Sequence, residues 1–283
     1  MRIAIFFNQS PGTIGEYFRR ALAALGHQVD HFNFAEAERC GGGYDLHLRI
    51  DHGDYKDDIP ARLRPAAFYV VDAHLARSWK GIQRQAGRYD LVFCAQRRAA
   101  QRLARAHWVP LGCDPEIHRP RSGEQRYDLS FVGTDGGVPR KFLLQELRER
   151  FSRSFIGRAP FEQMADIYGR SKIGFHYIEC TSPLKDHVSM RVYEVLAAGT
   201  LLMANALEPG AFDGVGLRER EEVVVYRTPR ELFDLAAYYL AHEDDRRRIA
   251  AAGQRVVLER HTYRHRAEQM IGIIQDQLHL KHQ

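Results

Sequence analysis

The chain lacks an apolar run long enough to span a bilayer, so no transmembrane helix is expected. Met1 leads directly into the strand-like Arg2-Ile3-Ala4-Ile5-Phe6-Phe7, without the longer apolar region and cleavage site of a secretory signal. A cytoplasmic location is therefore expected. Its four cysteines are scattered at Cys40, Cys94, Cys113 and Cys180, with no C-x-x-C pair and no histidine at zinc-finger spacing. That pattern argues against disulfides and structural zinc. Cys94, inside Leu91-Val92-Phe93-Cys94, reads as a small core residue. No D-x-D occurs anywhere in the chain. The carboxylates of Asp51-His52-Gly53-Asp54 and Asp57-Asp58 suit magnesium or manganese chemically, but the stretch reads as a solvated acidic loop. His261 and His265 stand four apart without a third ligand, and with His279 and His282 they read as surface histidines in a polar tail. No metal site is expected. The chain also has no dinucleotide fingerprint, no P-loop, no internal repeat and no low-complexity tract. NAD binding and ATP hydrolysis by those routes are thereby disfavoured, and no bound cofactor is expected.

What is present is the composition of an ordinary globular protein, 45% hydrophobic and 27% charged over 283 residues. That length accommodates two domains. The net charge of +5 favours anionic ligands but falls short of a dedicated nucleic-acid binder. A nucleic-acid reading would rest only on the basic helices 96–105 and 246–255, and Arg246-Arg247-Arg248 reads as a solvated helix face.

Strand-like runs alternate with helical periodicity from one end to the other. Strands are expected at 2–7, 28–32, 44–50, 67–71, 91–94 and 107–109, with helices at 14–26 and 96–106. Three prolines and a glycine in Pro110–Pro120 form a linker. A second series then supplies strands at 154–157, 172–176, 200–204 and 222–226 after Asp128–Gly133, with helices at 139–151, 160–169, 188–198 and 228–241. From Asp244 the tail is helical, interrupted near His261-Thr262-Tyr263. This is an α/β chain of two Rossmann-like halves, each a parallel sheet with helices on both faces, whose ligands bind at the carboxyl ends of the strands in a cleft between the halves.

The most informative stretch is His187–Asn205. Arg191 and Glu194 share a helical face in its first turns, Val195–Ala198 follow as an apolar run, Gly199 ends the helix, and Leu201-Leu202-Met203 opens a buried strand. A cation and a carboxylate at the mouth of a βα unit can hold a phosphate and a sugar hydroxyl together, as a nucleotide-sugar site requires. Gly133-Thr134-Asp135-Gly136-Gly137-Val138-Pro139-Arg140-Lys141 also follows a strand and opens a helix. Its exposed amides beside Arg140 and Lys141 can form a diphosphate cradle; a glycine-rich turn with two solvated charges is the competing reading. Asp72-Ala73-His74 lies just past a strand, where His74 can act as a base or bind substrate and Asp72 can orient it or hold a hydroxyl; a structural or merely exposed histidine is an equal reading. The loop Asn8–Gly15 opens the first helix, so Asn8, Ser10 and Gly12 can contact an acceptor or a phosphate; a plain βα turn is an equal reading. Asp186 precedes Glu194 by eight positions, giving D-x7-E.

Trp108-Val109-Pro110-Leu111-Gly112-Cys113-Asp114-Pro115, Asp128-Leu129-Ser130-Phe131-Val132-Gly133, Ser171-Lys172-Ile173-Gly174-Phe175 and Met190–Thr200 together resemble the GT-B glycosyltransferases, most closely the CgeB-type (spore-maturation-protein-like) branch of the group-1 enzymes. The resemblance is strong over 107–270 and weaker before it. It implies an acceptor domain at 1–118, a nucleotide-sugar donor domain at 119–260, and a final helix, 261–283, that packs back on the first domain. It implies that Glu194 binds the donor ribose, that Arg191, Arg140 or Lys141 neutralise the diphosphate leaving group, and that Gly133 and Thr134 line the donor loop. Asp186 falls near the transferred sugar, where many retaining members carry the first Glu of E-x7-E; here an Asp replaces it and the usual Phe-Gly is missing. Cations at the leaving group, rather than a metal on D-x-D, imply a metal-independent and retaining transfer. The partners implied are a nucleotide-sugar donor and an acceptor that is a glycan, a protein or a small molecule. A sugar-nucleotide epimerase or phosphorylase, or a nucleotide-binding module without transferase activity, shares the same plan.

Overall fold

The computed structural model describes residues 1–278, and His279 and His282 lie outside the described residues. The chain divides into two compact units. The first comprises Met1–Leu111, Glu179–Val188 and Tyr263–Leu278; the second comprises Gly112–Ile178 and Ser189–Thr262. The sequence reading assigns 179–188 to the second domain by position alone, whereas this short loop packs with the first unit.

In the first unit the strands are β1 (Arg2–Phe6), β2 (Gln28–Phe32), β3 (Leu46–Ile50), β4 (Ala66–Val70), β5 (Leu91–Cys94) and β6 (Ala106–Trp108), in the parallel order β2-β1-β3-β4-β5-β6. Strands β3, β4 and β5 are buried along their whole length, which explains why they read as continuous apolar runs rather than alternating ones. Helix α1 (Ile14–Ala24) starts at Thr13, whose Oγ1 accepts the Glu16 N–H, and presses Ile14, Tyr17, Phe18, Ala21 and Leu22 inward. Helix α2 (Ala76–Ala86) is absent from the sequence reading, because its few apolar residues are outnumbered by Arg, Lys and Gln. Ile82 and Ala86, with Trp79 partly buried, are its apolar ties to the core, and the buried Gln85 donates to the Tyr55 and Asp57 carbonyls. Conversely, the helix expected over 96–106 shrinks to α3 (Arg97–Ala100). Arg105 takes a left-handed φ of 55° and the chain turns at once into β6, so a helical composition is overridden by sheet pairing.

The second unit places β7 (Tyr127–Val132), β8 (Ser154–Gly157), β9 (Ser171–His176), β10 (Leu201–Asn205) and β11 (Val224–Tyr226) in the parallel order β11-β10-β9-β7-β8. Its helices are α4 (Arg140–Arg150), α5 (Phe161–Gly169), α6 (Met190–Ala197), α7 (Pro229–Ala241) and α8 (Glu243–Arg260). The last described helix, α9 (Tyr263–Leu278), belongs to the first unit, where Tyr263 stacks on Tyr17 and meets Phe18 edge-on. Among the described residues no helix is long and apolar enough to cross a membrane.

Three polar segments read as solvated each bury one or two of their polar side chains while the rest stay in solvent. Asp51 is only 3% exposed, and the Asp58 carboxylate pairs with the wholly buried Arg49 at 3.0 Å and with Arg88 at 3.0 Å. Arg246 is buried and its Nη1 donates to the Tyr239 carbonyl at 2.8 Å, while Arg247 and Arg248 remain in solvent paired with Glu243 and Asp245. His261 is buried, with Nε2 2.8 Å from the Val215 carbonyl. In each case a partner from elsewhere in the chain satisfies the polar atoms, and one-dimensional pattern carries no record of it. The proline-rich segment is also buried from Pro110 to Asp114.

Candidate active site

Within the second unit, β7 pairs with both β8 and β9, so the chain leaves β7 toward one side of the sheet and later returns to the other. Such a switch point opens a crevice beyond the carboxyl ends of the two strands. Gly133 follows β7 there and His176 ends β9. Gly174 in β9 has no Cβ; one would lie 2.5 Å from Val195 Cγ1. Helix α6 can thus settle close against the sheet, which carries Arg191 and Glu194 to the strand ends.

Glu194 has no exposed surface. Its Oε2 pairs with Arg191 Nη1 at 2.5 Å, and its Oε1 lies 3.4 Å from His118 Nε2. A buried carboxylate needs such partners. Arg191 retains 22% exposure of its side chain and lies over the Tyr168 ring at 5.8 Å. Its Nη1 also contacts Met164 Sδ. His176 Nε2 is 2.7 Å from Ser189 Oγ, while Nδ1 is buried with no partner among the described residues. Burial, followed by the charges of Arg191 and Arg140, pushes the His176 ring down to about 3, so it is neutral at physiological pH.

The glycine-rich loop enters α4 as expected. Gly136 takes φ +63°, and a Cβ there would overlap the Arg140 guanidinium at 1.8 Å, so glycine is what lets Arg140 fold back over the loop. Arg140 Nε donates to the Asp135 carbonyl at 3.1 Å, and Arg148 pairs with Asp135 at 3.2 Å. Thr134 and Lys141 are exposed. The structure therefore gathers Arg140, Arg191 and Glu194 with Gly133 at one sheet edge. His176 and His118 join them although the sequence reading passed over both. His176 was hidden at the end of an apolar strand, and His118 in a segment read as a linker.

Within the first unit, Asp72 and His74 form a short turn just past β4. Asp51, past β3, receives the main-chain N–H groups of Val71 (3.2 Å), Asp72 (3.0 Å) and Gly53 (3.1 Å) and the Tyr55 hydroxyl (2.7 Å). Burial, reinforced by the Asp51 carboxylate and opposed by Arg77, pushes the Asp72 carboxyl up to about 7. His74 Nδ1 lies 3.3 Å from the Val71 carbonyl, which can only accept, so the proton is on Nδ1 and Nε2 holds the lone pair. Burial lowers this ring to about 4. His187 stacks on it with centroids 3.7 Å apart and planes 2° from parallel, and Gln96 Nε2 donates to His187 Nδ1 at 2.7 Å. Neither Gln96 nor His187 was singled out in the sequence reading. Asp186 Oδ2 accepts the Arg98 N–H at 2.8 Å, at the start of α3 in this same unit. Asn8 Oδ1 accepts both the N–H (2.9 Å) and the hydroxyl (2.8 Å) of Ser10, and Gly12 takes φ +76°, so this exposed loop after β1 is braced from within. Among the described residues no cluster of three or more His, Cys, Asp or Glu side chains is arranged to hold a metal.

Residues 119–272, more than half of the chain, match the family model described as glycosyl transferase-like. The chain belongs to that family. Its fold is that of the GT-B glycosyltransferases, two parallel α/β sheets each flanked by helices. The sucrose-phosphate synthase of Thermosynechococcus elongatus superposes with a TM-score of 0.68 at 14% identity, over 98% of this chain and 99% of that one. Alr3699/HepE of Anabaena, solved in complex with UDP and glucose, gives 0.68 at 10% identity, over 98% and 100%. An alpha-glucosyltransferase solved with UDP and a 13-mer DNA containing an HMU base gives 0.69 at 11% identity, over 97% and 99%. No curated protein matches by sequence. As a GT-B glycosyltransferase, the protein carries its family match on most of the second unit, the loop Glu179–Val188 and much of α9, a span that includes the arginine-rich switch point.

Proposed function

We propose that this glycosyltransferase, a member of the CgeB-like branch, transfers a sugar from a nucleotide diphosphate donor, with the donor held by the second unit. The observation that carries the reading is the buried Glu194, capped by Arg191 at the mouth of α6, beside the loop that supplies Arg140. Glu194 accepts the ribose hydroxyls. Arg191 and Arg140, with Lys141 and the amides opening α4, meet the diphosphate whose negative charge grows as the glycosidic bond breaks. Stabilisation of that leaving group is the largest single service such a site can give, and guanidinium groups supply it without a metal or other cofactor.

The three structures cited above were solved as a sucrose-phosphate synthase or with UDP bound, which supports a nucleotide-sugar as donor. In the first unit, His74 offers a neutral lone pair at Nε2 for a sugar hydroxyl, and its weak basicity suits binding better than proton abstraction. Asp72, poised near neutrality, is the better proton acceptor there. Asp186, occupied in holding α3, supports the acceptor unit rather than acting as a reacting carboxylate.

Titration calorimetry with UDP, GDP and dTDP tests the donor assignment. We expect saturable binding of at least one, weakened about 10- to 100-fold in Glu194→Ala by loss of charge-assisted hydrogen bonds. Binding of none of the three by the wild-type protein refutes the reading.

A further inference from the structure

His118 falls in the segment Gly112–Pro120, which the donor reading leaves without a role. Its main-chain N–H donates to the Asp114 carbonyl at 2.8 Å, and the Asp114 N–H donates back to its Nδ1 at 3.3 Å. A main-chain N–H can only donate, so Nδ1 holds the lone pair and the ring proton sits on Nε2. That proton faces Glu194 Oε1 across 3.4 Å. Both side chains are buried, His118 at 1% and Glu194 at 0% exposure.

A carboxylate with no exposed surface can meet a ribose only if one of its present neighbours moves. His118 is engaged at both ring nitrogens and enclosed. Arg191 is different: it is long, 22% exposed, and carries the charge that an incoming diphosphate attracts. We propose that His118 is a positioning residue, the fixed half of a two-sided clamp on Glu194 whose releasable half is Arg191. Arrival of the diphosphate draws the guanidinium from Oε2 to the phosphate oxygens, and the ribose hydroxyls take its place. The neutral Nε2–H of His118 keeps the carboxylate in its plane while Arg191 changes partner. Burial holds the ring below its ordinary basicity despite the pull of Glu194, so this anchor acts as a hydrogen-bond donor rather than as a cation. The inference rests on the assignment of Glu194 to the ribose.

The test is the ratio of affinities for UDP and 2′,3′-dideoxy-UDP, and for the GDP pair, measured by calorimetry on the wild type, His118→Phe and His118→Gln. In the wild type the hydroxyl-bearing nucleotide binds about 10- to 100-fold tighter, the range of charge-assisted hydrogen bonds. In His118→Phe the ratio falls toward one while dideoxy affinity holds within about twofold. His118→Gln, which keeps an N–H donor, recovers most of the ratio. If His118→Phe does not fold, His118→Asn, polar but too short to reach Glu194, takes its place in the comparison. Parallel loss of both affinities in the Phe or Asn variant marks a merely structural role and overturns the proposal, as does an unchanged ratio. A wild type that binds none of UDP, GDP and dTDP refutes the donor assignment itself, a separate failure; one that binds only dTDP is put through the same comparison with dTDP and its 3′-deoxy analogue. A wild type that binds them without preferring the hydroxyls refutes the ribose role of Glu194.

Discussion

Replacing Asp72 by Asn should stabilise the protein, and only above a definite pH. Asp72 lies past β4, partly buried and next to the buried Asp51. Its carboxyl is pushed from the ordinary aspartate value of 3.8 up to about 7, first by burial and then by the Asp51 charge. Each decade of proton activity corresponds to about 1.4 kcal/mol, so ionising Asp72 in the folded protein costs about 4 kcal/mol at most. The sign follows from linkage. Below pH 3.8 the group is protonated folded or unfolded and contributes nothing. Between 3.8 and 7 the unfolded chain loses its proton while the folded one keeps it, so stability declines as pH rises, and above 7 the whole cost is present. The Asn variant is uncharged throughout and escapes it. Urea denaturation of both proteins at pH 4 and pH 8.5, read by tryptophan fluorescence, measures the difference. We expect near-equal stability at the lower pH and a gain of about 2–4 kcal/mol for Asp72→Asn at the higher. A variant no more stable than wild type at pH 8.5 would refute the reasoning. A stabilised variant that also loses transfer activity would identify Asp72 as a group whose strain is retained for function.

Gly174→Ala sets a Cβ 2.5 Å from Val195 Cγ1, so α6 must lift from β9. We expect about 1–3 kcal/mol of destabilisation, together with weaker nucleotide binding because Arg191 and Glu194 move with the helix; calorimetry and thermal melts read the two effects. Arg49→Met removes a wholly buried guanidinium from Asp58. Denaturant titration should show a loss of about 3–5 kcal/mol, the range for breaking a buried pair, and the added Asp58→Asn substitution should restore part of it.

The Arg191–Glu194 pair was legible because it is local: residues three apart on a helix must share a face, and the pair forms as the spacing requires. The glycine-rich entry to α4 was legible for the same reason. His118 and His176 were not. His118 reaches Glu194 from 76 positions away in sequence, and nothing in Cys113-Asp114-Pro115-Glu116-Ile117-His118 announces its partner. The first unit shows the same contrast. Asp72 and His74 are adjacent in sequence and stay adjacent in space, yet His187 arrives from a loop more than a hundred residues later and stacks on His74.

The sequence by itself determined the α/β class, the position of nearly every strand, the helix that carries Arg191 and Glu194, and the break before the last helix. These follow from periodicity, chain stiffness and turn chemistry, all of which act over a few residues. Only the tertiary structure decided which charges leave water. Arg49, Asp51, Arg246 and His261 are polar in any one-dimensional reading, and each is buried with partners that only the folded chain brings to it. Tertiary packing also assigned the loop of Asp186 and His187 to the first unit rather than the second. Burial and long-range pairing are properties of the folded chain, and they set the protonation of Asp72, His74 and His176.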